Sequence, residues 1–339
     1  SIQGRTFVNI GAKKTTVNNQ EDTLAVAAGK GVTIKGNVYG GGKGEAKTFK
    51  CEKAIVAGST NVMIGNGTVK GTVYGGGQLG RVETGTTVTI GVGDGDATGT
   101  PDSEPYINGN VYGAGAGVNT HGYAALVRGI SEVTIQGNAK VDSCVYGGGQ
   151  IASVGRYKVK KGYKDPSDAP DDVEIGMPYT LADSESKCIV TVKGYAEIGL
   201  DNMQMKATGG PDDTGYVFGA GKGVLPYEGY EADENPVRWT IDDNGQYIEE
   251  EYTPENENLY LKYVGTLALA TETEVTIGGH AFVKGSVYGG SENGHVQHDT
   301  NVKIEDHCQI GNGWNTTTNT GVNERYNEAL FVNPATANR

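Results

Sequence analysis

The chain has 339 residues, with 55 glycines, 10 prolines and a formal net charge of −13. Its glycines follow no Gly-x-y period and its apolar runs are only a few residues long, which excludes a collagen-like rod and a transmembrane helix. The acidic balance argues against nucleic acid or an anionic membrane as partner. No signal peptide is visible at Ser1, and the sequence reads as a mature or excised part of a longer chain.

In chain order, residues 1–30 read as an N-terminal cap or first coil that covers an otherwise open sheet edge. From 31 to 313 two motifs alternate. The first is Val32-Thr33-Ile34, repeated at Val62-Met63-Ile64, Val88-Thr89-Ile90, Val133-Thr134-Ile135, Val190-Thr191-Val192, Val275-Thr276-Ile277 and Val302-Lys303-Ile304. The second is Val38-Tyr39-Gly40-Gly41, repeated at Val73-Tyr74-Gly75-Gly76, Val111-Tyr112-Gly113-Ala114, Val145-Tyr146-Gly147-Gly148, Val217-Phe218-Gly219-Ala220 and Val287-Tyr288-Gly289-Gly290. The shortest steps are 26 residues, Val62 to Val88, and 27 residues, Val275 to Val302.

Within the cleanest unit the inward set is Val62 and Ile64, then Val69, Gly71 and Val73, then Leu79 and Val82. This predicts three short alternating strands per unit, with Gly or Asn between them and no helical period. Three strands and three turns in about 26 residues make one coil of a parallel β-helix, paired with its neighbours at about 4.8 Å. A propeller blade needs about 40 residues and four antiparallel strands, and a sandwich has no reason to repeat its motif. The prediction is an all-β solenoid of about seven coils and roughly 30–35 Å, with loop insertions and end caps. The turn residues Gly137-Asn138-Ala139, Gly194-Tyr195-Ala196, Gly279-His280-Ala281 and Asp306-His307-Cys308 align, so Ala139, Ala196, Ala281 and Cys308 form a column of small inward residues at a tight corner. The glycines after each tyrosine are read as suppliers of backbone angles that other residues resist.

Three insertions interrupt the coils, at 93–105, 157–186 and 226–263. In the last, Val237 to Ile241 and Gln246 to Ile248 flank Asn244-Gly245, a hairpin signal that predicts a small β lobe. Residues 314–339 lack the motifs and read as a C-terminal cap or tail, with a short helix near 323–329.

Parity puts Val69, Gly71 and Val73 on one side of the strand and Lys70, Thr72 and Tyr74 on the other. Tyr39, Tyr74, Tyr112, Tyr146, Phe218 and Tyr288 therefore form an outward aromatic stripe. One reading is a glycan platform, shared with Trp239 and Tyr247 of the long insertion. The other is a ladder that only stabilises the sheet by cross-strand stacking.

His280 and His307 align in adjacent coils, with His295 and His298 nearby, but the equivalent turn residues Asn138 and Tyr195 point to a solvated turn rather than a metal centre. Asp94, Asp96 and Asp102, with Glu104, form an acidic loop whose alternatives are calcium binding and simple solvation. No cofactor is expected apart from that calcium alternative. Cys51, Cys144, Cys188 and Cys308 have no C-x-x-C spacing, which argues against thiolate metal ligation. Cys308 reads as a buried free thiol, and a bridge between Cys144 and Cys188 is left open. No catalytic signature is found: Asp212-Asp213 stands in a Gly/Pro loop, and the outward strand positions are mostly Thr, Lys, Asn and Tyr. A carboxylate pair assembled from loops is the enzymatic alternative.

Written as Val-Thr-Ile-x-Gly followed by Gly-x-Val-Tyr-Gly-Gly, the repeat resembles glycine-rich secreted or surface proteins of gut Bacteroidota, above all from Tyr260 to Gly294. The resemblance covers most of the chain and implies a pectin-lyase-like, right-handed β-helix, adhesin-like and displayed at the cell surface. It carries over no catalytic residue. The expected function is a non-enzymatic extracellular module that binds a glycan or a partner protein. The alternatives are a polysaccharide lyase or glycoside hydrolase, and a purely structural spacer.

Overall fold

A computed structural model describes residues 1–17, 20–26, 31–45, 53–96, 104–119, 122–158, 180–181, 186–201, 214–224, 237–241, 247–251, 267–312, 314–315 and 320–321. Three all-parallel sheets run along a right-handed β-helix. The first contains Thr6–Ile10, Thr60–Ile64, Thr86–Ile90, Ser131–Ile135, Cys188–Val192, Thr273–Ile277 and Thr300–Ile304. The second contains Thr33–Ile34, Thr68–Val69, Tyr106–Ile107, Lys140–Val141, Glu197–Ile198, Phe282–Val283 and Gln309–Ile310. The third contains Val38–Tyr39, Val73–Tyr74, Val111–Tyr112, Val145–Tyr146, Val217–Phe218 and Val287–Tyr288.

Pairing is in register, so Val62, Val88, Val133, Val190 and Val275 fall in one column, and Ile64, Ile90, Ile135, Val192 and Ile277 in another. Both columns are buried and form the main core with Val69, Ile107, Val141, Ile198 and Val283. The small-residue corner is as expected: Ala139, Ala196 and Ala281 are buried in that core. Cys308 is only half-buried, and its thiol points at the Ile277 carbonyl, 3.6 Å away.

Two details differ from the expected coil. Val69 and Val73 belong to different sheets, because the chain bends at residues 70–71. The third expected strand, Leu79 to Val82, is a column of single parallel bridges that runs through Val56, Val82, Val127, Val154 and Ala270. These residues and Ala114, Cys188 and Ala220 make a second, smaller core.

The glycine after each aromatic residue also has a different cause from the one expected. It has no left-handed φ. A Cβ at Gly75 would instead stand 2.0 Å from the carbonyl oxygen of Gly113, and one at Gly113 would stand 2.3 Å from that of Gly147. The coils approach too closely there for any side chain. Left-handed residues recur instead at the corner, where Gly137, Gly194, Gly279 and the non-glycine Asp306 have φ from 58° to 66°, and at turns elsewhere, such as Ala125 and Ile151.

The same carbonyls bind the first residue of each strand in the first sheet. Thr6, Thr60, Thr86, Ser131 and Thr273 donate their hydroxyls to Gly40, Gly75, Gly113, Gly147 and Gly289 at 2.5–2.7 Å. In the fifth coil the position is Cys188, fully buried and unbridged.

Two substitutions test this account by chemical denaturation. Gly75→Ala should cost about 1–3 kcal/mol or more through overpacking, while Gly36→Ala, with nothing within 4 Å of its Cβ, should stay within about 0.5 kcal/mol of the parent. Cys188→Ser restores the hydroxyl that Ser131 supplies one coil earlier and should gain about 1 kcal/mol. A loss of stability in the serine variant would refute the hydroxyl–carbonyl column.

Candidate functional site

The aromatic stripe stands opposite the valines, as parity required, but it does not face solvent. Tyr74, Tyr112, Tyr146 and Phe218 are between 0% and 6% exposed. Tyr39 is half-buried and Tyr288 is the open end, at 46%. Successive rings stack at 4.5–5.2 Å, with interplanar angles of 3–12°. Each inner ring therefore has both faces against its neighbours, and a sugar cannot stack on it. The expectation of an open platform is corrected on this ground.

The cover is the chain that follows the Gly-Gly turn. Residues four positions after the ring bridge in parallel at Gln150, Lys222 and Glu292. Tyr74 Oη donates to Gln150 and Tyr146 Oη to Glu292, each two coils further along. By the same spacing Tyr112 falls opposite Lys222, an ammonium with no lone pair to offer, which pairs instead with Glu292 at 2.9 Å. The Tyr112 hydroxyl is buried without a hydrogen-bond partner. Burial is the main cause that holds the phenols of Tyr74, Tyr112 and Tyr146 far above the ordinary phenol value.

The other expected site residues are scattered. Trp239 and Tyr247 lie on the strands Val237–Ile241 and Tyr247–Glu251, which pair antiparallel. Their side chains, like Asp102 and Cys51, lie outside the described residues. Asp94 and Asp96 are exposed, and the Asp96 backbone is held by the Asn138 amide at 2.6 and 3.1 Å. His280 stacks between Tyr195 and His307 at 4.6 and 5.4 Å, an outward ladder at the corner. Among the described residues no three His, Cys, Asp or Glu side chains gather as a metal site. Cys144 and Cys188 are both buried free thiols, which closes the question of a bridge between them.

The strongest candidate lies on the outer face of the second sheet. A groove of about 260 Å³ is lined by Thr68, Glu104, Tyr106, Lys140, Asp142, Glu197, Gly199, Asp201 and Lys284. Tyr106, Lys140 and Glu197 occupy one outward column; Asp142 and Lys284 follow their strands by one residue. Asp142 Oδ2 accepts from Tyr106 Oη at 2.9 Å and from Asn108 Nδ2 at 2.6 Å. Burial and the Asp142 carboxylate push the Tyr106 phenol up to about 12. The Lys284 side chain is fully buried over the Phe282 ring, and its Nζ contacts Glu197 Oε2 at 3.2 Å and Asp201 Oδ1 at 2.6 Å. Those two carboxylate oxygens are therefore within about 6 Å of each other, close to the separation of a retaining glycosidase pair. However, a cation sits between them. Four carboxylates face two ammonium groups, and the groove presents mainly acceptors for hydroxyl donors.

Sequence inspection missed this groove because Asp142 and Glu197 are separated by the insertion at 157–186. The signal was available in the first and third residues after each corner Ala, such as Lys140 and Asp142 after Ala139, Glu197 after Ala196 and Lys284 after Ala281, once the coils are aligned.

Two measurements test the buried ladder. Tyr112→Phe removes an unpartnered buried hydroxyl and should be neutral or stabilise by about 1 kcal/mol, whereas Tyr112→Ala should cost about 3–5 kcal/mol. In alkaline titration the ladder contributes constant stability below pH 10, where the phenols are neutral in both states. Above that pH the unfolded chain ionises first, so stability should fall as pH rises. Ordinary ionisation of these phenols near pH 10 in the folded protein would contradict their burial.

Comparison of the chain with protein-family models, with curated proteins and with solved structures finds no match.

Proposed function

We propose that this chain is a non-enzymatic, adhesin-like β-helix module of a secreted or surface-displayed protein, and that it binds an uncharged stretch of glycan along the outer face of the second sheet. One observation carries the reading: the groove that brings Tyr106, Asp142, Glu197 and Asp201 together on the strands of the second sheet and the turns that follow them. Carboxylates, a phenol and an amide are the groups that take up sugar hydroxyls. Their excess of negative charge disfavours acidic glycans. The corner ladder of Tyr195, His280 and His307 forms the neighbouring column, two residues before Glu197 and Phe282 in the chain, and extends the surface along the axis. The resemblance of the repeat to glycine-rich surface proteins of gut Bacteroidota supports display outside the cell.

The second reading, a polysaccharide-cleaving enzyme, is favoured by the closeness of Glu197 and Asp201. Against it, Lys284 stands between those carboxylates and contacts both, at 3.2 and 2.6 Å, so the space between the pair is filled by the chain's own side chain.

Affinity electrophoresis through gels containing mucin, plant or bacterial polysaccharides separates these readings. Retardation by a neutral polysaccharide, weakened about tenfold or more by Asp142→Asn, is the expected result. Retardation indifferent to Asp142→Asn and Tyr106→Phe would exclude the groove. Release of reducing ends or of unsaturated uronate, abolished in Glu197→Gln, would establish the enzyme. No retardation in any gel would leave the spacer or a protein-binding module.

A further inference from the structure

Among the described residues the most deeply buried charged side chain is Lys284, at 2% exposure. Its Nζ stands 5.6 Å from the centre of the Phe282 ring. The same nitrogen ends against two carboxylates of the preceding coil, Asp201 Oδ1 at 2.6 Å and Glu197 Oε2 at 3.2 Å. Glu197 pairs with Phe282 and Ile198 with Val283 in the sheet, and the Lys284 amide donates to the Ile198 carbonyl at 2.9 Å. The lysine backbone is therefore fixed beside its two partners.

An amine, a carboxyl carbon and a second carboxylate within reach of the amine are the parts that amide formation needs. Asp201 Cγ lies one carbon–oxygen bond, ~1.2 Å, beyond Oδ1. The nitrogen is thus at most about 3.8 Å from that carbon, near the roughly 3–3.5 Å of an attacking pair. The two carboxylates differ in surroundings. Glu197 stands on the enclosed side, at 16% side-chain exposure, whereas Asp201 is 58% exposed and opens to the groove, which gives a small leaving group its exit.

We propose that Lys284 and Asp201 condense to an intramolecular amide cross-link, with Glu197 as the proton carrier. One proton passes from the ammonium to Asp201, which turns the ion pair into an amine and a carboxylic acid. Nζ then attacks Cγ and the C–N bond forms. A second Nζ proton passes through Glu197 to the departing hydroxyl, the Cγ–O bond breaks, and one water leaves into the groove. Glu197 ends as the carboxylate that it began as, nothing is oxidised or reduced, and no co-reactant is required. The bond joins successive coils across 83 residues and closes a ring that persists in the unfolded chain, so it stabilises by restricting that state. It goes beyond the glycan reading and does not depend on it, because a cross-link between coils leaves Tyr106 and Asp142 untouched.

Intact-mass spectrometry of the denatured full chain, followed by tryptic mapping, tests the bond without any sugar. The parent is expected one water lighter than its sequence, with a branched peptide linking Lys284 to Asp201 and no cleavage after Lys284. Asp201→Ala and Lys284→Arg should both return to the full sequence mass, and Glu197→Gln should reduce the linked fraction about tenfold or more. Asp201 is a turn residue and more than half exposed, so Asp201→Ala should fold, with a lowered thermal midpoint because the ring is open. A parent at its full sequence mass, cleaved by trypsin after Lys284, would overturn the proposal. So would a water loss that persists in Asp201→Ala or Lys284→Arg, or a branched peptide that ends at Glu197 in place of Asp201. An undiminished linked fraction in Glu197→Gln would overturn the role given to Glu197.

Discussion

Backbone pairing between successive coils is the constraint on which everything else depends. Each strand of the first sheet meets its neighbours residue for residue, from Thr6 against Thr60 to Thr273 against Thr300. A side chain must therefore suit the residue one coil above and one coil below, at a spacing set by the hydrogen bonds and not by the side chain. Identical or similar residues satisfy this most simply. That is why the chain repeats its motif, and why a break in a column is informative. The glycine next to each ring is the extreme case, because the neighbouring carbonyl occupies the place of its Cβ.

The same spacing produces opposite outcomes inside and outside. Inside, β-branched columns at coil spacing form the buried core, and the Thr or Ser hydroxyls bind the carbonyls left at the turn. Outside, aromatic rings at that spacing stack on one another and consume their own faces. The tyrosine row is thus a structural spine, sealed by the segment after each Gly-Gly turn. Cys188 and Tyr112 are places where one member of a column is imperfect: one lacks a hydroxyl, the other lacks an acceptor.

Chemistry is left to positions where the columns are not uniform. On the second sheet, the outward residues change from coil to coil, through Tyr106, Lys140, Glu197 and Phe282. That variety is what a recognition surface needs and a scaffold does not. The Lys284 ammonium between Glu197 and Asp201 shows how such a face manages buried charge, by pairing it with more than one carboxylate.

The sequence by itself determined the architecture and the inward columns. A period of two along each strand and a period near 26 residues along the chain leave only a stack of coils, with Val62, Ile64, Val69 and Val73 inside. It also determined that Tyr74 and its equivalents lie on the side opposite these valines. Only the tertiary structure decided that this side is covered, because alternation specifies a face of a strand and says nothing of what packs on that face. Only pairing between coils could align Lys140 with Glu197 across an insertion, or show that Gly75 is required by a carbonyl 2.0 Å from its missing Cβ rather than by its own backbone angle. Contacts between coils are long-range in sequence, and spacing along one chain does not contain them.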